Sequence, residues 1–107
     1  MTHKIDASFN SKSLVVAPED VVEICLPEIP TSGYRWAIAD ENVKHNYVLI
    51  GDDYLMNQNS AVGGGGVRIL KFKITDTTSD TIKLRNWQPW SKDIYSTFDL
   101  HVAGEKK

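Results

Sequence analysis

At 107 residues the chain has room for one modest hydrophobic core, and a single domain over residues 1–107 is expected. A hydrophobic share of 41%, a charged share of 24% and a formal charge of −2 belong to an ordinary globular composition; with no basic block, a nucleic-acid partner is excluded. The single cysteine, Cys25, excludes an intrachain disulfide, and no apolar run approaches the ~18–20 residues of a membrane helix, so no membrane partner is expected.

The first residues, Met1-Thr2-His3-Lys4-Ile5-Asp6, lack the apolar segment of a signal peptide. The expected location is cytoplasmic, or vesicular to lysosomal if a targeting segment was removed. From Ser13 onward the hydrophobic pattern has period two, the mark of half-buried strands, and no convincing helix period appears. Ser13 to Ala17 is a short candidate. In Val21 to Leu26, residues Val22, Ile24 and Leu26 share one face, and Tyr34, Trp36 and Ile38 do so in the next run. Tyr47 to Ile50 is again short. Arg68 to Ile74 is the clearest case, with Leu70, Phe72 and Ile74 opposite Lys71 and Lys73. Ile82 and Leu84 alternate with Lys83 and Arg85; Phe98, Leu100 and Val102 alternate with Asp99 and His101. Turn-forming residues separate the runs. About seven short strands at this spacing predict an all-β fold, an immunoglobulin-like antiparallel β-sandwich.

When antiparallel strands run up and down, alternate connections share one end of the sandwich. Counting from Ser13, the connections at 27–33, 57–66 and 87–93 fall together. They hold the unusual sequences: Ile29-Pro30-Thr31-Ser32-Gly33-Tyr34, then Gly63-Gly64-Gly65-Gly66, then Trp87-Gln88-Pro89-Trp90. Three loops clustered on a rigid scaffold form a binding surface.

These three sequences resemble the contact motifs of the chagasin family of cysteine protease inhibitors. The family patterns are Asn-Pro-Thr-Thr-Gly followed by an aromatic, Gly-x-Gly-Gly, and Arg-Pro-Trp. Here Ile29 stands for the Asn, Ser32 for the second Thr and Gln88 for the Arg. The resemblance spans nearly the whole chain. It implies a non-enzymatic, reversible, tight-binding inhibitor of papain-like, cathepsin L-like cysteine proteases, acting as a monomer without cofactor. The protease-binding residues it implies are Pro30, Thr31, Ser32, Gly33, Tyr34, Gly63, Gly64, Gly65, Gly66, Gln88, Pro89 and Trp90. The first loop would enter the catalytic cleft, the glycines would lie along the substrate groove, and Trp90 would dock beside it. Losing the Arg removes a fixed charge and a bidentate donor.

The alternative is a carbohydrate- or peptide-binding sandwich with Tyr34, Trp87 and Trp90 as an aromatic platform. Catalysis has no support: no nucleophile elbow and no His-paired nucleophile is present. The glycine tetrad is followed by Val67-Arg68 and is no phosphate cradle. His3, His45 and His101 show no metal-ligand spacing, so no metal is expected. Cys25 is expected to be buried and inert. Asp52-Asp53 is expected to be solvated, Trp36 to lie in the core and Trp90 to be exposed; Trp87 is left open between the two.

Overall fold

The computed structural model describes residues 1–29, 32–39, 45–56 and 65–104. Eight strands follow in order: β1 (Thr2–Ile5), β2 (Lys12–Val16), β3 (Val21–Glu28), β4 (Arg35–Ile38), β5 (Tyr47–Met56), β6 (Gly66–Ile74), β7 (Asp80–Gln88) and β8 (Asp93–Gly104). One turn of 3₁₀ helix, Ala7–Phe9, links β1 to β2; Asp6 caps it through its carboxylate and the Ser8 N–H. The strands form two four-stranded sheets, ordered β1-β3-β6-β5 and β2-β8-β7-β4.

The alternating faces account for the core. Val22, Ile24 and Leu26 of β3 and Leu70, Phe72 and Ile74 of β6 form one inner surface. Ile82 and Leu84 of β7 and Phe98, Leu100 and Val102 of β8 meet it from the other sheet, with Trp36 toward one end and Tyr47, opposite Ile74, toward the other. Burying each such side chain contributes roughly 1.5–3 kcal/mol before the entropy of ordering is counted.

The sandwich carries one strand more than the sequence pattern suggested. β1 was not read as a strand because only Ile5 of its four residues is buried. It pairs parallel with β3, and β2 pairs parallel with β8, while the other four pairings are antiparallel. Parallel neighbours need a crossover, and β2, lying in the opposite sheet, provides it for β1 and β3. Pro27 sits inside β3 rather than in the turn after it. This is tolerated because β1 pairs β3 only as far as Ile24, so one side of β3 is an open edge at Pro27. β5 is longer than Tyr47 to Ile50, and its Val48, Leu49 and Ile50 are all exposed; a bulge between Leu49 and Gly51 interrupts its register with β6. Ile38 and Tyr34 are half-buried, and Cys25 is half-buried rather than enclosed; its partial burial pushes the thiol pKa up, which keeps it protonated.

Candidate functional site

Strand β3 ends at Glu28, and its continuation turns back within a few residues. Ser32 holds that turn twice over: its N–H donates to the Ile29 carbonyl at 3.1 Å and its hydroxyl donates to the same oxygen at 2.6 Å. The Ser32 hydroxyl in turn accepts from the Tyr34 N–H at 3.2 Å. Gly33 follows with φ +82°, in the left-handed region that favours glycine. Pro30 and Thr31 lie outside the described residues, as do Gly63 and Gly64.

The third loop packs directly on this turn. A Cβ built on Gly33 would stand 2.6 Å from Cη2 of Trp90, so the indole occupies the space that a side chain would need. Gln88 ties the same two loops by hydrogen bonding. Its Nε2 donates to the Ser32 carbonyl at 3.2 Å, while its Oε1 accepts from the Ser91 hydroxyl at 2.8 Å. Lys92, at φ +61°, closes the loop by donating its N–H to the Gln88 carbonyl at 2.7 Å. Tyr34 adds a second tie, donating its hydroxyl to Asp93; that bond to a carboxylate raises the Tyr34 pKa. Trp90 itself is 73% exposed.

The root of the glycine loop lies on the other flank of the first. Gly66 pairs with Glu28 across the β3–β6 ladder, and Gly65 approaches so closely that an added Cβ would lie 3.3 Å from both the Glu28 carbonyl and Ile29. Gly66 is more constrained, because its Cβ would collide with the Leu55 carbonyl and the Tyr54 ring. The structure therefore brings Ser32, Gly33, Tyr34, Gly65, Gly66, Gln88 and Trp90 to one end of the sandwich. Pro89 is exposed beside Trp90.

Beneath this end lies a polar brace that the sequence pattern did not disclose. Glu28 is only 3% exposed, yet charged. Arg68 grips it through Nη2 at 2.6 Å and through Nε at 3.1 and 3.2 Å, and reaches Asp52 with Nη1 at 2.9 Å. Glu28 also accepts the Trp36 N–H at 2.7 Å, so it satisfies a backbone donor on the edge strand β4 of the facing sheet. The Trp36 indole N–H donates to the Pro27 carbonyl at 2.9 Å, and the Tyr54 hydroxyl to the Glu28 carbonyl at 3.3 Å. Glu28 accordingly joins both sheets and the bases of the first two loops. Its hydrogen bonds hold the Arg68 guanidinium above its ordinary pKa. Asp52 is thus ion-paired rather than merely solvated. The alternation that made the β-pattern legible could not show this, because the partners lie 40 and 16 residues apart.

The remaining candidates sort by face. Trp36 is buried at 7%. Trp87 is half-buried on the outer side of its sheet, with the Arg85 guanidinium 3.6 Å above its ring. His101 is exposed and shares a hydrogen bond of 2.8 Å with Thr81. Among the described residues no group of three His, Cys, Asp or Glu side chains is placed to hold a metal ion.

Known proteins resemble this chain in sequence and in fold. Residues 15–102 match the model of the chagasin family of peptidase inhibitors. Chagasin of Trypanosoma cruzi is 26% identical over 94 residues, covering 85% of this chain and 86% of that protein. The cysteine protease inhibitor EhICP2 of Entamoeba histolytica superposes with a TM-score of 0.81 at 22% identity, over 97% of this chain and 95% of its own. Amebosin gives 0.80 at 24% identity, over 98% and 99%. PbICP-C, solved in complex with falcipain-2, gives 0.58 at 14% identity, over 98% and 90%. The chain belongs to the chagasin family of peptidase inhibitors. It is an inhibitor of cysteine proteases and not an enzyme, and nothing in these relatives supports a carbohydrate- or peptide-binding module.

Proposed function

We propose that the chain blocks papain-type, cathepsin L-like cysteine proteases by laying the three-loop end of the sandwich across the active-site cleft. The observation that carries this reading is the fusion of the first and third loops. Gln88 and Trp90 hold Ser32 and Gly33 in place before any partner arrives. A preorganised wedge loses little conformational entropy on binding, and that is what converts a standard contact area into tight affinity. Pro30 adds stiffness to the first loop's sequence, because a proline ring fixes φ near −65°.

In this reading Pro30, Thr31, Ser32 and Gly33 enter the cleft beside the protease's catalytic pair. Small hydroxyl side chains fit close to a nucleophile and replace hydrogen bonds of displaced water. Gly63, Gly64, Gly65 and Gly66 run along the substrate groove, where glycine lets backbone approach backbone and pair as an added strand. Trp90 docks its exposed indole beside the cleft, with Pro89 and Gln88 setting the loop that carries it. The complex of PbICP-C with falcipain-2 supports the reading to the extent that a protein of this fold binds a protease.

The test is substitution of Thr31 and Ser32 by bulky charged residues. Inhibition should be abolished while the unfolding midpoint moves little. Inhibition that survives unchanged would remove the first loop from the cleft.

A further inference from the structure

Strands β4 and β7 carry a second feature beside the third loop. Even-numbered Trp36, Ile82, Leu84 and Asn86 point inward, so Arg35, Arg85 and Trp87 share the outer face of the same sheet. Arg35 stands directly across from Trp87, and the Arg85 guanidinium carbon lies 3.6 Å over the centre of the Trp87 ring. Arg35 also shares the wall of a small pocket, about 160 Å³, with Gly33, Tyr34, Trp90 and the Glu28–Arg68 pair, whose carboxylate is already held by Arg68. The patch therefore runs without a break from the inhibitory loops onto the face of the sheet.

Among the described residues neither Arg35 nor Arg85 is paired with a carboxylate, whereas Arg68 close by is held by both Glu28 and Asp52. The cross-strand neighbours of Arg85 are Ala37 and Thr97, neither acidic. The Arg85 Nε–H is buried without an acceptor. Asp93, the nearest acid in the third loop, is engaged by the Tyr34 hydroxyl. Gln88, which points to this end, is neutral and has its amide committed to Ser32 and Ser91. A chain of net charge −2 thus presents, at the rim of its binding end, two indoles and two guanidinium groups that have no carboxylate partner among the described residues.

We infer that Arg35 and Arg85, framed by Trp87 and Trp90, form an accessory contact that reads a carboxylate on the protease surface flanking the cleft. This rests on the proposed mode of inhibition and adds the chemistry of the partner's rim. Guanidinium stacked on an aromatic ring is preorganised and weakly hydrated, which suits it to a bidentate carboxylate contact. A rim charge of this kind acts mainly on the association rate and on salt sensitivity.

The experiment compares the wild-type protein with Arg35→Ala, Arg35→Glu and a control, Lys12→Ala, against papain and a cathepsin L-like protease at low and high salt. Association rates are read from progress curves of a fluorogenic peptide. Arg35 is exposed, so the folded state should be unaffected, which thermal unfolding checks. The expected result is wild-type association that slows with salt against at least one of the two proteases. Against that protease Arg35→Glu should associate about tenfold more slowly at low salt, with a flattened salt dependence, and Lys12→Ala should match the wild type. Wild-type inhibition with no such change in either Arg35 variant would overturn the accessory contact and leave the loop mechanism standing. Absence of inhibition by the wild-type protein would remove both.

Discussion

Gly33 and Trp90 exclude each other's growth: the indole fills the space where a Gly33 side chain would begin, and Gly33 holds a φ of +82° that other residues rarely adopt. Gly33→Ala should therefore cost about 1–3 kcal/mol from backbone strain and push the ring aside. The inhibition constant should rise by about tenfold or more, beyond any effect of the unfolding midpoint, because the ring shift disturbs two loops at once. Paired measurement of urea unfolding and inhibition on the same variant checks this.

Trp90 makes the opposite prediction about stability. At 73% exposure it contributes little to the core. Trp90→Ala should leave unfolding nearly unchanged and weaken protease binding by ~2 kcal/mol or more, the behaviour of an aromatic anchor. Isothermal titration against an active-site-blocked protease, together with thermal unfolding, separates the two effects.

The ion pair under the loops should be costly to halve. Arg68→Met leaves the Glu28 carboxylate buried with only the Trp36 N–H as donor. Loss of about 3 kcal/mol is expected, since an uncompensated buried charge is the main cost. Adding Glu28→Gln should restore part of that stability. Urea denaturation of the three variants measures the coupling, and independent additive effects would refute the brace.

How much of this was legible in the chain depended on period. β3, β6, β7 and β8 announced themselves because one face is buried and the other wet, so apolar and polar residues alternate. β5 was read too short because an edge strand with Val48, Leu49 and Ile50 all exposed has no buried face to impose alternation. β1 and the parallel edge pairings left no local signature at all. The loops were legible as a group because alternate connections share an end, and the contacts of Ser32 with Gln88 and of Gly33 with Trp90 match that inference. Glu28 and Arg68 were not, because a buried pair separated by 40 residues looks in sequence like two ordinary charges.

Acid should loosen the other end of the domain. Burial raises the Asp80 pKa, but hydrogen bonds from the Asn46 and Thr81 backbone N–H groups and from His45 outweigh it, and the net shift is downward. A carboxyl whose folded pKa lies below its unfolded value contributes stability above the unfolded value, about 4, and that contribution is lost as pH falls through the folded one. Asp80→Asn should therefore be destabilising at pH 7, with a smaller difference from wild type below pH about 4. Urea midpoints measured across pH 2.5–7 give the comparison.

The most direct measurement is titration of active papain and of a cathepsin L-like protease with the purified protein, following a fluorogenic peptide substrate. The account predicts tight, reversible, competitive inhibition, with the inhibitor recovered uncleaved. Full protease activity at micromolar inhibitor, or rapid cleavage within residues 30–33, would contradict it.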